Sequence, residues 1–307
     1  MGTHTHTPVT PEVPMLTTLT VGLEGTDHSL AAADWAAAEA ARRGAALRLV
    51  HAWAPRPLDV PVAADAEVQR KWAEDVLKEG ERRVTAAHPG LEVGTRLLSD
   101  DPVSALVAES ARAGLLVLGS RGHGTLVGHL IGSVALRVLR QATGPVVLVR
   151  RPREDDAERP AATGEVVVGV PDADEAVVAP ALDLAFEAAA VRGARLRVVR
   201  AWTIPPVFAW SAGSSYLAAE AGGLEELQEQ RLADVVRPWR ERYPRVEVVE
   251  DVELGSAAEV LLARSGSACL LVVGRHAAGE HGVRRIGSVT HAALHHAPCP
   301  VAVAARP

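Results

Sequence analysis

Residues 43–53 read RGAALRLVHAW and residues 192–202 read RGARLRVVRAW, so eight of the eleven positions are identical. Three further blocks recur in the same order: LLVLG (115–119) with LLVVG (270–274), IGSV (131–134) with IGSV (286–289), and ATGPV (142–146) with APCPV (297–301). The offset between matched residues grows from 147 at Gly22 and Gly169 to 155 at Gly119 and Gly274. Four matched blocks in one order predict a duplicated domain with small insertions between the copies.

A charged, proline-rich stretch separates the two copies. The chain has 307 residues, and at roughly 150 residues per domain this length fits two domains. Residues 150–164 read RRPREDDAERPAATG and show no hydrophobic period, which is typical of an interdomain linker. We therefore expect one domain over residues 16–150 and a second over residues 164–305.

Each copy alternates short β-rich runs with longer stretches that carry apolar residues at helical spacing. Strands are predicted at 19–23, 46–52, 92–98, 115–119 and 145–149, and in the second copy at 165–170, 195–201, 246–253, 269–274 and 300–304. Helices are predicted at 28–43, 65–87, 133–141, 175–192, 220–242 and 288–296, with a short helix before each fourth strand. This alternation predicts parallel strands joined by right-handed crossovers. The fold class is therefore α/β, with two tandem doubly wound domains that each hold a five-stranded parallel sheet.

Composition excludes several classes of protein. The chain is 48% hydrophobic with a net charge of −6, which provides no basic surface for nucleic acid or anionic lipid. No apolar run approaches the roughly 18 residues of a membrane span. Cys269 and Cys299 are the only cysteines, so we expect a reducing, cytoplasmic setting. The motifs of P-loop NTPases, of dinucleotide dehydrogenases and of serine hydrolases with a nucleophile elbow are missing.

A glycine-rich segment follows the predicted fourth strand of the first copy. Gly119 and Gly122 are followed after nine residues by Gly132 and Ser133, which open the next predicted helix. Doubly wound sheets bind ligands beyond the carboxyl ends of their strands, and a helix N-terminus favours phosphate through its exposed N–H groups. From the residues alone, two interpretations stay open: a nucleotide-binding loop, or glycines that serve only the turn.

These residues resemble the universal stress protein family. The spacing G-x2-G-x9-G-S looks like the nucleotide loop of that family, and so do LLVLGSRGHGTLVGHLIGSV (115–134) and APCPVAV (297–303). The opening VGLEGTDHS (21–29) resembles the family's first strand and turn. The resemblance covers residues 17–150 and 164–305. It implies a nucleotide-binding α-hydrolase-like fold with strand order 3-2-1-4-5 in each half.

The resemblance also implies an ATP site in the first copy. Carried over by position, its residues are Gly22, Glu24, Ala52, Leu118, Gly119, Gly122, Gly132, Ser133 and Val134. Glu24 stands where the family usually has Asp, and the extra methylene would shift the carboxylate. We therefore expect ATP binding that is weakened rather than lost.

The second copy departs further from the family pattern. Gly274, Gly287 and Ser288 are retained, but Pro171 replaces the acid and Ala277 replaces the second glycine. An alanine Cβ can block the close approach of a ligand to the backbone. The second copy is then either a weaker nucleotide site or a structural partner of the first.

The leading functional hypothesis is an ATP-binding regulatory protein of stress response or dormancy, with ATP hydrolysis slow at most. Mg²⁺ can accompany the triphosphate, although no carboxylate cluster is dedicated to a metal. A further hypothesis is that the ligand is another adenine nucleotide, either a cyclic nucleotide or a diphosphate. The rival hypothesis is a nucleotide-independent module that binds an unknown protein partner. The resemblance implies pairing through the fifth strand, either as a homodimer or as a pseudo-dimer within one chain.

Three weaker features each allow a functional and a structural interpretation. Trp53 and Trp202 end the second strand of each copy and either wall the adenine cleft or simply pack. His291 and His295 have metal-ligand spacing on a helix, but a solvated helix face is favoured. The aromatic residues within 202–216 either form a lid or interaction patch, or pack on the sheet.

Overall fold

A computed structural model describes residues 18–53, 66–120, 131–151, 164–173, 175–203, 214–275 and 286–304. The first half contains β1 (Thr18–Gly22), α1 (Asp27–Arg43), β2 (Ala46–Ala52), α2 (Ala66–Ala87), β3 (Val93–Leu98), α3 (Pro102–Ser110), β4 (Leu115–Ser120), α4 (Ser133–Gln141) and β5 (Val146–Arg150). The second half contains β6 (Val166–Gly169), α5 (Glu175–Arg192), β7 (Leu196–Trp202), α6 (Ser214–Arg242), β8 (Val248–Leu254), α7 (Ala257–Arg264), β9 (Leu270–Gly274), α8 (Ser288–His296) and β10 (Val301–Ala304). The two halves therefore repeat the same order of elements.

The ten strands form one continuous sheet in the order β3-β2-β1-β4-β5-β10-β9-β6-β7-β8. Every neighbouring pair within a half is parallel. The expected α/β class and the strand order 3-2-1-4-5 are therefore confirmed in the first half, and the second half repeats that order.

The halves join through their last strands, β5 and β10. These two strands pair antiparallel, with Leu148 opposite Val301 and Val146 opposite Val303. An antiparallel pair between equivalent strands relates the halves by an approximate two-fold axis within a single chain.

Helices cover both faces of the sheet. The side chains of α1, α2, α5 and α6 pack in one hydrophobic cluster, and those of α3, α4, α7 and α8 pack in another on the opposite face. The central strands are buried on both sides, as the continuous apolar runs of β4 and β9 predict. No helix in the described part of the chain is long and apolar enough to cross a membrane.

Local chemistry fixes the helix ends that position the cleft. Gly44 and Gly193 end α1 and α5 in the left-handed region, with φ of 61° and 59°, a conformation that costs glycine little. Thr26 and Ser29 form a reciprocal capping box at the start of α1. Most predicted boundaries lie within one or two residues of these elements, but α6 begins at Ser214 rather than at residue 220.

A buried ionic cluster joins α1 to α5 on one face of the sheet. Arg43 Nε lies 2.6 Å from Glu39 Oε1, and Arg43 Nη1 lies 2.6 Å from Glu187 Oε1. Arg192 Nη2 lies 2.7 Å from Glu39 Oε2. Burial raises the pKa of Glu187. Removal of one partner would leave a buried charge without compensation, which is destabilising. Because the pairs Arg43–Glu187 and Arg192–Glu39 each join one half to the other, this cluster stabilises the contact between the halves.

Candidate functional site

The predicted site residues of the first half lie along the carboxyl edge of the sheet. Gly22, at the end of β1, is in register with Val50 of β2 and Leu118 of β4. Ala52 ends β2, and Gly119 follows Leu118 in β4. The carboxyl ends of these three neighbouring parallel strands meet at one edge, where doubly wound sheets bind ligands. Gly122 lies outside the described residues.

Close packing requires glycine at Gly119 and only disfavours a β-carbon at Gly22, where the nearest atom is the end of a leucine side chain that can shift. A β-carbon added at Gly22 would lie 2.7 Å from Leu118 Cδ2. A β-carbon added at Gly119 would lie 2.6 Å from the His28 carbonyl oxygen, in the first turn of α1. Gly119 therefore lets α1 begin directly against the end of β4, whether or not a ligand approaches it.

The turn after β1 presents a carboxylate. Glu24 is exposed, and its Oε1 accepts a hydrogen bond of 3.1 Å from Thr26 Oγ1. Gly25 adopts a φ of +78°, which strains any residue with a β-carbon. The Thr26 contact orients the Glu24 carboxylate beside the first turn of α1.

The N-terminus of α4 differs from those of α1 and α3. Thr26 caps α1, and the Asp101 carboxylate caps α3 by accepting from the N–H groups of Val103 and Ser104. Helix α4 begins instead after Gly132, and no described side chain caps it. The first N–H groups of α4 thus lack a described side-chain cap, and the Ser133 hydroxyl is exposed; N–H groups at a helix N-terminus favour an anion.

Aromatic side chains line the neighbouring side of the turn after β1. His51 Nδ1 is 2.8 Å from the Leu23 carbonyl oxygen, and the His51 ring lies edge-on to Trp72, with ring centroids 5.4 Å apart. Burial lowers the pKa of His51, which favours the neutral ring. The Trp53 Nε1 atom is buried and has no hydrogen-bond partner in the described part of the chain. His51 and Trp72 were not among the predicted site residues, although His51 lies only two residues before Trp53 in RLVHAW.

The equivalent turn of the second half is held by charges. Pro171 removes the acid, and Asp172 follows it at the position that matches Gly25. The Arg200 guanidinium donates to Asp172 Oδ1, and Arg231 Nη1 lies 3.5 Å from Asp172 Oδ2. Arg200 occupies the position that His51 has in the first half, and only 2% of it is exposed.

The fourth strand of the second half also ends differently. No described atom lies within 4 Å of a β-carbon added at Gly274. The Thr290 hydroxyl, in the first turn of α8, donates to the Gly274 carbonyl oxygen at 2.7 Å. Gly287 precedes α8 without a side-chain cap among the described residues, and Ser288 is exposed. Ala277 lies outside the described residues.

The histidine pair, the two cysteines and the aromatic segment give no further functional site among the described residues. The rings of His291 and His295 lie 4.2 Å apart, but the described residues hold no group of three potential metal ligands. Both thiols are free, and burial raises the pKa of Cys269 and raises that of Cys299 to about 12. Most of the aromatic segment, residues 204–213, lies outside the described residues.

Comparison with known proteins places this chain in a family. The model of the Universal stress protein family matches residues 15–150 and 164–305. Universal stress protein Rv2005c of Mycobacterium tuberculosis is 33% identical over 302 residues, covering 92% of this chain and 95% of that protein. A universal stress protein of Mycolicibacterium smegmatis is 32% identical over 294 residues, with the same coverage of both chains.

A solved structure has the same fold over nearly the whole chain. The crystal structure of a universal stress protein from Archaeoglobus fulgidus covers 94% of this chain and 98% of its own, with a TM-score of 0.68 and 19% identity. Two matches to the family model cover most of the sequence, and relatives above 30% identity span most of both chains. The chain belongs to the universal stress protein family, as a member with two tandem copies of the domain.

Proposed function

We propose that this protein binds ATP in its first half and acts as a cytoplasmic regulator of the stress response. The single observation that carries the proposal is the glycine spacing Gly119, Gly122, Gly132, Ser133 ending at an α4 N-terminus without a described side-chain cap. Phosphate is the ligand that such an N-terminus favours, because the N–H groups and the helix dipole both attract negative charge.

The other groups at this edge suit the rest of the nucleotide. Glu24 offers a carboxylate oxygen to the ribose or adenine, and the backbone at Ala52 can pair with the base. The first turn of α1 closes tightly on Gly119, with a β-carbon excluded there by the His28 carbonyl. Mg²⁺ would bind through the phosphates rather than through a side-chain cluster.

The second half contributes less to nucleotide binding in this proposal. Its turn has no acid at Pro171, and the nearby carboxylate of Asp172 is already engaged by Arg200 and Arg231. We therefore propose one principal ATP site for each chain. The sequence motifs assign no general base to the proposed phosphate position, so we propose that any hydrolysis is slow.

An alternative is a nucleotide-independent module that binds a protein. The observation in its favour is apolar exposure on equivalent helices. On α2, Val68 and Trp72 are 59% and 54% exposed, and on α6 Leu224 and Leu227 are each 40% exposed. Contiguous exposed apolar patches mark contact surfaces, and the alternative requires these side chains to form such a patch.

Calorimetric titration of the full chain with ATP and Mg²⁺ tests the proposal. Wild type should bind ATP, and Ser133→Asp should weaken binding by about tenfold or more, because the new carboxylate repels phosphate at short range. The folded state should survive, since a negative charge at a helix N-terminus is favourable. Competition with ADP, AMP and cyclic AMP then identifies the preferred adenine nucleotide.

Ser288→Asp makes the same chemical change in the second half. Binding that falls only with Ser133→Asp supports the first half as the principal site. An equal loss with Ser288→Asp would contradict the assignment to one half. Absence of binding by wild type at millimolar ATP would remove the proposal and leave the protein-binding alternative.

A further inference from the structure

The two halves exchange arginine contacts at the ends of their last helices. The Arg275 guanidinium, which follows Gly274 in the second half, donates to the carbonyl oxygens of Leu139 and Ala142 at the end of α4. Arg150, which ends β5 in the first half, donates to the carbonyl oxygens of Leu294 and His295 at the end of α8. Each arginine therefore reaches across the β5–β10 junction and caps a helix of the other half.

These contacts lie at the helix ends opposite the proposed phosphate positions. Ser133 begins α4 and faces the carboxyl edge, whereas Leu139 and Ala142 lie in or just after its last turn. The last carbonyl groups of a helix have no partner within it, and a cation there is favourable. Arg275 donates to the Leu139 carbonyl in the last turn and to the Ala142 carbonyl just after it, and it is itself only 8% exposed.

Because α4 is short, its position depends on contacts such as those of Arg275. The helix has nine residues, fewer than an isolated helix needs to be stable in water. Its position therefore depends on its contacts, and its first N–H groups can bind phosphate only where those contacts hold them. An anchor on the last turn fixes the helix axis, and with it the direction of the N–H groups at Ser133.

We infer that Arg275 is a positioning residue for nucleotide binding: a side chain of the second half orients the phosphate-binding helix of the first. The inference rests on the proposed ATP site. It also connects the two clefts, because the carbonyl of the adjacent Gly274 is held by Thr290 in the first turn of α8. A continuous set of contacts thus runs from α4 through Arg275 and Gly274 to α8.

The test compares Arg275→Met with Arg150→Met in the full chain. Both changes keep an apolar stem and remove donors to two carbonyls, so both should lower the unfolding midpoint by a similar amount. Only Arg275→Met should weaken ATP binding, by about three- to tenfold, while Arg150→Met should stay within about twofold of wild type. Arg275→Lys should recover part of the affinity, because a lysine can still donate to these carbonyls.

The outcomes separate this inference from the proposed function. If wild type binds ATP and the two methionine variants bind it equally, or Arg275→Lys binds no better than Arg275→Met, Arg275 has no positioning role and the ATP site stands. If wild type binds no ATP, the proposed function and this inference both fail. Should Arg275→Met not fold, the affinities of Arg275→Lys and Arg150→Lys give the same comparison, with a loss confined to Arg275→Lys expected.

Discussion

The turn after the first strand is held by apolar side chains in the first half and by ion pairs in the second. In the first half, a β-carbon at Gly25 would lie 3.0 Å from Val76 Cγ2 and 3.3 Å from the Trp72 ring. In the second half, Asp172 stands at the matching position and meets Arg200 and Arg231. The contacts at these two matched positions are therefore of different kinds.

This difference is the structural basis for our proposal that the first half is the principal nucleotide site and the second half contributes less. The apolar contacts at Gly25 leave the Glu24 carboxylate exposed beside Thr26. The ion pairs at Asp172 instead use the nearby carboxylate to neutralise a buried arginine. The strands and helices beneath the two turns follow the same order, and this contrast lies at the edge where a ligand would bind.

The largest expected effect is a difference in stability between alanine variants of the two glycines near the ends of the fourth strands. Gly119→Ala should lower the free energy of unfolding by about 1–3 kcal/mol, because its β-carbon would lie 2.6 Å from the His28 carbonyl oxygen. Gly274→Ala should change it by less than about 0.5 kcal/mol, because no described atom lies within 4 Å of the new carbon. Urea unfolding measures both, and equal losses would show that the two strand ends are packed alike.

The next effect concerns the ion pairs of the second turn. Asp172→Asn should destabilise the protein by about 1–3 kcal/mol, since the buried Arg200 would lose its counter-charge. Arg231→Gln should cost at most about 1 kcal/mol, because that pair is exposed on both sides. The unfolding midpoints of the two variants give the comparison. A larger loss with Arg231→Gln would mean that the exposed pair, rather than Arg200, holds the turn.

The smallest effect is a pH dependence confined to the first half. Burial lowers the pKa of His51, so the unfolded chain binds a proton more readily than the folded chain. This contribution to stability is complete above the unfolded pKa of about 6.5 and is lost as the pH falls from there toward the folded pKa. The matching position of the second half carries Arg200 instead of a histidine.

Unfolding midpoints at pH 7.5 and pH 5.5 measure the contribution of His51 to stability. His51→Gln should reduce the loss of stability on acidification, because the residue that gains the proton is gone. A variant that loses as much stability as wild type would show that other groups govern the acid response.

Local sequence predicted the framework well. The helix predicted over residues 133–141 matches α4, and the strand order agrees with the one implied by the family resemblance. Gly44 and Gly193 each follow a run with helical spacing and adopt the left-handed conformation typical of glycine at a helix end. These features depend on short-range periodicity, on glycine chemistry or on motifs with fixed spacing, all of which are legible in one sequence.

The contacts that distinguish the two clefts were not predictable in the same way. Arg275 meets Ala142 across 133 positions of the chain, and His51 meets Trp72 from a different element. Such pairs depend on how strands and helices pack, and no periodicity marks them. For Gly119 the sequence indicated a need for glycine, but only the fold showed that the start of α1 requires it.

The antiparallel seam between β5 and β10 has an evolutionary consequence. In an assembly of identical subunits, every mutation appears on both sides of the axis at once, so a damaged cleft is damaged twice. Within this chain the seam joins two halves with different sequences, so a mutation in one half is not copied in the other. Under the proposed function, the second half can therefore replace ligand-facing groups by structural ones such as Arg200 and Asp172 while the first half keeps its own.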